Sequence, residues 1–169
     1  AARMNPSAHT VPLRALVVDD DAVSRALLAR YVGQHDALRL VGVCESAVAA
    51  VPHLRAGAVD VVFLDVEMPE MSGLDLVRAL DRRPHIVLVT GKAQYAVEAF
   101  SVAVSDYLLK PVQYPRFLQA VERVVLAQQR ATGMFAQSTE PVPPSRGTLS
   151  TEPSRDVLFA RVDGRLVRI

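Results

Sequence analysis

The sequence predicts an α/β fold, a doubly wound sandwich with five parallel strands in the middle layer and helices on both faces. Three observations predict it. Short apolar runs of strand length alternate with stretches of helical periodicity from residue 13 to about residue 130. Five such strand–helix units in succession favour a three-layer arrangement with right-handed crossovers. Four of the strands also hand a polar residue to their C-terminal end, and in an open parallel sheet those ends share one edge, where ligands bind.

The first strand, Ala15-Leu16-Val17-Val18, ends in Asp19-Asp20-Asp21. The helix after it places Val23, Ala26, Leu27 and Tyr31 at helical spacing and stops plausibly at Gly33. Residues 38–43 read as the second strand. Ser46 can cap the next helix, which runs through Ala47, Val51 and Leu54 to Gly57, with Pro52 expected to kink it. The third strand, Val61-Val62-Phe63-Leu64, ends in Asp65, and its helix follows Gly73 with Leu74, Val77 and Leu80. The fourth, residues 85–89, ends in Thr90-Gly91. The following helix spans about 94–102, with Tyr95, Ala96, Ala99 and Phe100 on one side. The fifth, residues 106–109, ends in Lys110-Pro111. Pro115 suits the first turn of the last helix, whose expected buried stripe is Phe117, Leu118, Val121, Val124 and Val125.

The remaining chain differs in composition. Residues 1–12 are expected to be a disordered N-terminal segment, with Met4 as the natural start. Residues 131–155 are rich in Pro, Ser, Thr and Gly and read as a flexible linker. Residues 156–169 carry two β-rich runs around Asp163-Gly164, a strong hairpin signal. An isolated hairpin is marginal in water. It must therefore pack on the first domain, belong to a partner, or open a further domain.

A chain of 169 residues can hold one full core and part of a second domain. The net charge of +1 gives no bulk electrostatic reason to bind nucleic acid or membranes. The single cysteine, Cys44, excludes an internal disulfide and fits a reducing cytoplasm. The apolar runs are too short to span a membrane, and residues 1–12 lack the apolar region of a signal peptide. The histidines, His9, His35, His53 and His85, are scattered and suggest no metal site.

The residues expected at the sheet edge suit a divalent cation and a phosphoryl group. A carboxylate such as Asp65 can attack phosphorus and form an acyl phosphate. Phosphoryl transfer needs in-line positioning and neutralised equatorial oxygens. Mg²⁺ favours an oxygen shell with one or two carboxylates. Asp19, Asp20 and Asp65 can supply that shell, together with the main-chain carbonyl of Glu67. Thr90 can donate a hydroxyl and Lys110 a point charge. Singly, each of these residues reads as a helix cap or a loop residue. All of them in order at successive strand ends would require several separate coincidences.

The pieces VVDDD (17–21), VVFLDVEMPEMSG (61–73), LVTG (88–91) and DYLLKP (106–111) resemble the receiver domains of two-component response regulators, without a gap from residue 13 to about 130. The resemblance implies a flavodoxin-like sheet of strand order 2-1-3-4-5. It implies that Asp65 accepts phosphate from a sensor histidine kinase. Asp20 and Asp65 would ligate Mg²⁺ directly and Asp19 through water, while Thr90 and Lys110 would hold the phosphoryl oxygens. Tyr107 would be the aromatic switch, swinging from exposed to buried as Thr90 moves, and the Lys110–Pro111 bond would be cis. Glu67 and Lys92 are expected to flank the phosphate entrance as tuning residues of opposite charge. A phosphorylation-dependent homodimer is expected on the helix of residues 94–102, the fifth strand and the last helix.

Residues 91–111, with their Tyr-Ala-x-x-Ala-Phe run, resemble receivers linked to LytTR-type DNA-binding domains, and VLFARVDGRLVRI looks like the opening hairpin of such a domain. DNA contact is therefore expected only through a C-terminal domain missing from this chain. A stand-alone receiver acting by protein docking is the alternative. A phosphatase of the aspartyl-phosphate type fits less well, because Glu67 stands two residues after Asp65 and no Thr follows it. No ordinary enzyme activity is expected beyond self-phosphorylation and autodephosphorylation.

Overall fold

Strands without a polar face demand cover on both sides, and the helices provide it. The computed structural model of the chain describes residues 11–136, 159–162 and 165–168. Five strands, β1 (Leu13–Val18), β2 (Leu38–Cys44), β3 (Val61–Asp65), β4 (His85–Thr90) and β5 (Asp106–Leu109), form one sheet. All pairings are parallel and the spatial order is β2-β1-β3-β4-β5.

Between the strands run α1 (Ala22–Gly33), α2 (Ala47–Arg55), α3 (Gly73–Ala79) and α4 (Tyr95–Ser101), and α5 (Tyr114–Ala136) follows β5. Three helices start on a side-chain cap that satisfies an otherwise unpaired N–H. Asp21 accepts from Ser24, Ser46 from Ala49 and Ser72 from Asp75. Pro52 lies inside α2, which nevertheless continues to Arg55, two residues short of the expected Gly57.

Successive strand residues point to opposite faces and build two cores. Ala15, Val17, Val61, Phe63, Val87, Val89 and Leu108 pack with Leu28 and Val32 of α1 and with Phe117, Ala120, Val121 and Val124 of α5. Leu16, Val18, Val62, Leu64, Ile86 and Leu88 pack with residues of α2, α3 and α4. The Lys110–Pro111 peptide is cis.

Three expectations need correction. The buried side of α1 is Leu28 and Val32 with Tyr31 half-buried, whereas Val23 and Ala26 are exposed, because the helix turns its second half rather than its first turn toward the sheet. On α4, Ala99 is buried but Phe100 is 89% exposed. One helical step of about 100° separates them, so a seven-residue helix lying on a sheet buries only one. The last helix runs past Arg130 to Ala136, so residues 131–136 are helical and not linker. Ala131, Met134 and Ala136 are favourable helix residues that continue an established helix at little cost.

The C-terminal residues form a separate unit. Strands β6 (Phe159–Val162) and β7 (Arg165–Arg168) pair antiparallel, with Phe159 opposite Arg168 and Val162 opposite Arg165. The Asp163-Gly164 turn, the linker from residue 137 and the segment 1–10 lie outside the described residues. Among the described residues no helix is long and apolar enough to cross a membrane.

Candidate functional site

The C-terminal ends of β1, β3 and β5 converge. Asp19 and Asp65 are buried, Asp20 is exposed, and all three offer carboxylate oxygens within 4.8 Å of one another. The Lys110 ammonium reaches in from the end of β5. It lies 2.9 Å from Asp19 Oδ2 and 3.3 Å from Asp65 Oδ1. Asp19 Oδ1 accepts the Asp21 N–H at 2.9 Å. Asp19 Oδ2 is buried with ionic company but no aligned hydrogen-bond donor. That is an unusual state for a buried carboxylate oxygen and one that suits a cation ligand.

Burial, and then the negative charge of Asp19, push the Asp65 carboxyl up to about 7, against the opposing pull of Lys110. Burial works to lower Lys110, but the two carboxylates outweigh it and hold the ammonium above its ordinary value. The Asp65 side chain therefore sits in an environment that favours its neutral form.

The loop beyond Asp65 is tightly fixed. Gly73 N–H donates to the Val66 carbonyl at 2.9 Å, and a Cβ on Gly73 would overlap the Asp65 carbonyl oxygen. Only glycine permits this close passage. On the other side, Arg25 donates from one guanidinium nitrogen to the Asp19 carbonyl at 2.7 Å and the Asp20 carbonyl at 3.2 Å.

Thr90 and Tyr107 belong to the opposite face of the sheet from Asp65. Thr90 continues the Ile86–Leu88 side, and Tyr107 packs against the same α2–α3–α4 core. Thr90 Oγ1 accepts the Lys92 N–H at 3.1 Å. Tyr107 is half-buried, and its hydroxyl donates to the Lys92 carbonyl at 2.8 Å. Burial raises its phenol above the ordinary value.

Lys92 also pairs through its ammonium with Glu67, which accepts the Tyr95 hydroxyl at 3.2 Å as well. The Lys92 bond, and then Tyr95, hold the Glu67 carboxyl below its usual range, and Glu67 raises Lys92 in return. Glu67 and Lys92 are thus joined to each other.

The sequence reading missed three groups. Arg25 and Tyr95 are two. The third is buried Asp106, which takes a two-pronged ion pair from Arg116 at 2.7 and 2.8 Å and a further contact from Arg123 at 3.1 Å. Arg116 and Arg123 stand seven residues apart, two turns on one side of α5, and that spacing was the available signal.

The sheet order and the acidic residues at its C-terminal edge define a flavodoxin-like class of α/β protein. The Response regulator receiver domain family matches residues 15–122, and the chain belongs to it. A response regulatory protein of Yersinia pestis is 37% identical over 114 residues, 66% of this chain and 48% of that protein. The transcriptional regulatory protein BtsR of Escherichia coli (strain K12) is 36% identical over 121 residues, 70% of this chain and 50% of that protein. The response regulatory domain of protein mrkE from Klebsiella pneumoniae has the same fold, with a TM-score of 0.64 at 26% identity over 70% of this chain and 99% of that one. The chain spans about half the length of the curated relatives it matches.

Asp65 has a folded-state pKa above its unfolded value of 3.8, so its burial is free of penalty at low pH and costs stability as pH rises toward 7. In metal-free protein, Asp65→Asn is expected to raise the melting temperature by roughly 5–10 °C at pH 8 and to leave it unchanged below about pH 4. Thermal melts in EDTA across that range check it.

Proposed function

We propose that this chain is the phosphoacceptor module of a cytoplasmic two-component response regulator, with Asp65 as the acceptor. The observation that carries the reading is the burial of Asp65 beside Asp19 with Lys110 within reach of both. Asp19, Asp20 and Asp65, with the Glu67 main-chain carbonyl, would hold Mg²⁺. The Asp19 Oδ2 atom, which faces the Lys110 ammonium without an aligned hydrogen bond, and the closeness of the three carboxylates fit that ion. When bound, Mg²⁺ neutralises charge on the transferring phosphoryl group.

The chain's own residues account for the rest. An Asp65 carboxylate oxygen attacks phosphorus as the bond to the kinase's histidine nitrogen breaks, giving an acyl phosphate. The Lys110 ammonium, already facing Asp65, stabilises the added negative charge. Thr90 Oγ1 accepts from Lys92 N–H, so its hydroxyl hydrogen is free to donate to a phosphoryl oxygen. Drawing Thr90 toward that oxygen loosens its bond to the loop that also holds Tyr107, and α4 repacks. The chemistry is confined to gaining and losing this phosphate, so the chain is a switch and not an ordinary enzyme.

The output is transcriptional, through a LytTR-type DNA-binding domain beyond the receiver. Support comes from relatives named transcriptional regulatory proteins that are about twice the matched length. The Tyr95–Phe100 run and the β6–β7 pair support it further. A second copy of the chain is the proposed partner of the α4–β5–α5 face. Val97 and Phe100 share one side of α4 and are 77% and 89% exposed, and Leu109 of β5 is 48% exposed.

Incubation with acetyl phosphate and Mg²⁺ should add one phosphate by intact mass in wild type and none in Asp65→Asn. An unmodified wild type would refute the acceptor assignment. Sedimentation of the phosphorylated sample should show a dimer that Phe100→Asp abolishes, and a monomer at all concentrations would rule the dimer out. The joined Glu67–Lys92 pair is expected to slow attack by water. The double replacement Glu67→Ala with Lys92→Ala should then shorten the phosphorylated half-life several-fold, and an unchanged half-life would dismiss the gate.

A further inference from the structure

Two arginines in this protein grip carboxylates in the usual forked manner. Arg14 holds Asp60 through Nε and a terminal nitrogen, both at 2.9 Å, and Arg116 holds Asp106 at 2.7 and 2.8 Å. Arg25 stands beside the densest group of carboxylates in the receiver and does something else. Its guanidinium is spent on the main-chain carbonyls of Asp19 and Asp20. It makes no bond to the carboxylates of the same two residues, and that of Asp19 meets the Asp21 N–H and the Lys110 ammonium instead.

The placement of Arg25 is also unfavourable by local rules. It is the fourth residue of α1, at the end of a first turn that contains no acidic residue. The positive end of a helix dipole disfavours a cation there. The acidic loop immediately before the helix is what offsets that cost. A side chain that stays half-buried in such a position, bridging two carbonyls, is fixed by the loop and fixes it in return.

We propose that Arg25 is a resident counter-charge of the acidic site. It holds the Asp19–Asp20 loop in shape and offsets the mutual repulsion of Asp19, Asp20 and Asp65 when no divalent cation is present, and it thereby weakens the site's hold on that cation. The inference rests on the magnesium reading above. Arg25 acts as a positioning residue through the backbone and need not touch the ion. With Mg²⁺ and a phosphoryl dianion on Asp65, the charges of Asp19, Asp20, Lys110 and Arg25 bring the site to neutrality. Without Arg25 the loaded site would carry an excess negative charge.

The test is calorimetric titration of the full chain with MgCl₂ at pH 8 and fixed ionic strength, in wild type, Arg25→Gln, Arg25→Met and Arg25→Lys. Removing a positive charge that is bonded to the carbonyls of Asp19 and Asp20 should tighten binding about tenfold in both neutral variants. Arg25→Lys, which keeps the charge, should stay close to wild type. In EDTA the neutral variants should melt below wild type, and saturating Mg²⁺ should erase the deficit. A purely structural role for the carbonyl bonds predicts the reverse, because a distorted loop binds the ion more weakly. Neutral variants that bind Mg²⁺ as wild type does, or more weakly, would overturn the proposal, as would an Arg25→Lys that behaves like them. A wild type that binds no Mg²⁺ would instead remove the magnesium reading and this inference with it, so the wild-type titration alone separates the two failures.

Discussion

Two carboxylates share a buried corner of this protein, and one ammonium makes that tolerable. Like charges within 4.8 Å repel by about 3–4 kcal/mol at the effective dielectric of a protein site. Desolvation adds to that cost. Lys110, close to Asp19 and Asp65 together, offsets part of it, and the raised Asp65 pKa shows that the offset is incomplete. On the proposed reading, a site that resists its own ionisation would respond strongly to an added cation and to a neutralised Asp65.

The pleat of the sheet determines where that response goes. Side chains alternate between faces, so Asp65 follows Val61 and Phe63 toward α1 and α5. Thr90 and Tyr107 follow Ile86 and Leu88 toward α2, α3 and α4. Asp65 and the pair Thr90 and Tyr107 thus lie on opposite sides of one sheet edge. Only a group standing above that edge can reach both, and a phosphoryl group on Asp65 would be placed to do so. Lys92 is the hub on the sensing side. Its N–H meets Thr90, its carbonyl meets Tyr107 and its ammonium meets Glu67. A shift of one residue therefore reaches two strands and two loops.

Much of this was legible in the sequence because the signals were local. Uninterrupted apolar strands, the cap at Ser46, and polar residues at strand ends depend on spacing within a few residues, and they gave the fold and the groups gathered at its edge. The buried side of α1 was misread because Val23 and Ala26 fit a helical period as well as Leu28 and Val32 do. Periodicity does not say which way a helix rolls on a sheet. The end of α5 was missed because Thr132 and Gly133 lie within a Ser- and Pro-rich composition, while an existing helix extends through mediocre residues. Arg25 was overlooked because its partners are carbonyls, which leave no trace in side-chain chemistry. The Asp106 clamp could have been found from the two-turn spacing of Arg116 and Arg123.

That clamp has a mechanical consequence. Asp106 opens β5, the strand that carries Tyr107 and leads to Lys110, and Arg116 and Arg123 fasten it to the first three turns of α5. Twenty-three residues of helix make a rod about 35 Å long. A tilt of roughly 5° at its gripped root would sweep the far tip by about 3 Å, given that length. The helix thus has the proportions of a lever arm with its fulcrum beside β5. Ångström-scale adjustments at Asp106 would be magnified by leverage at Ala136.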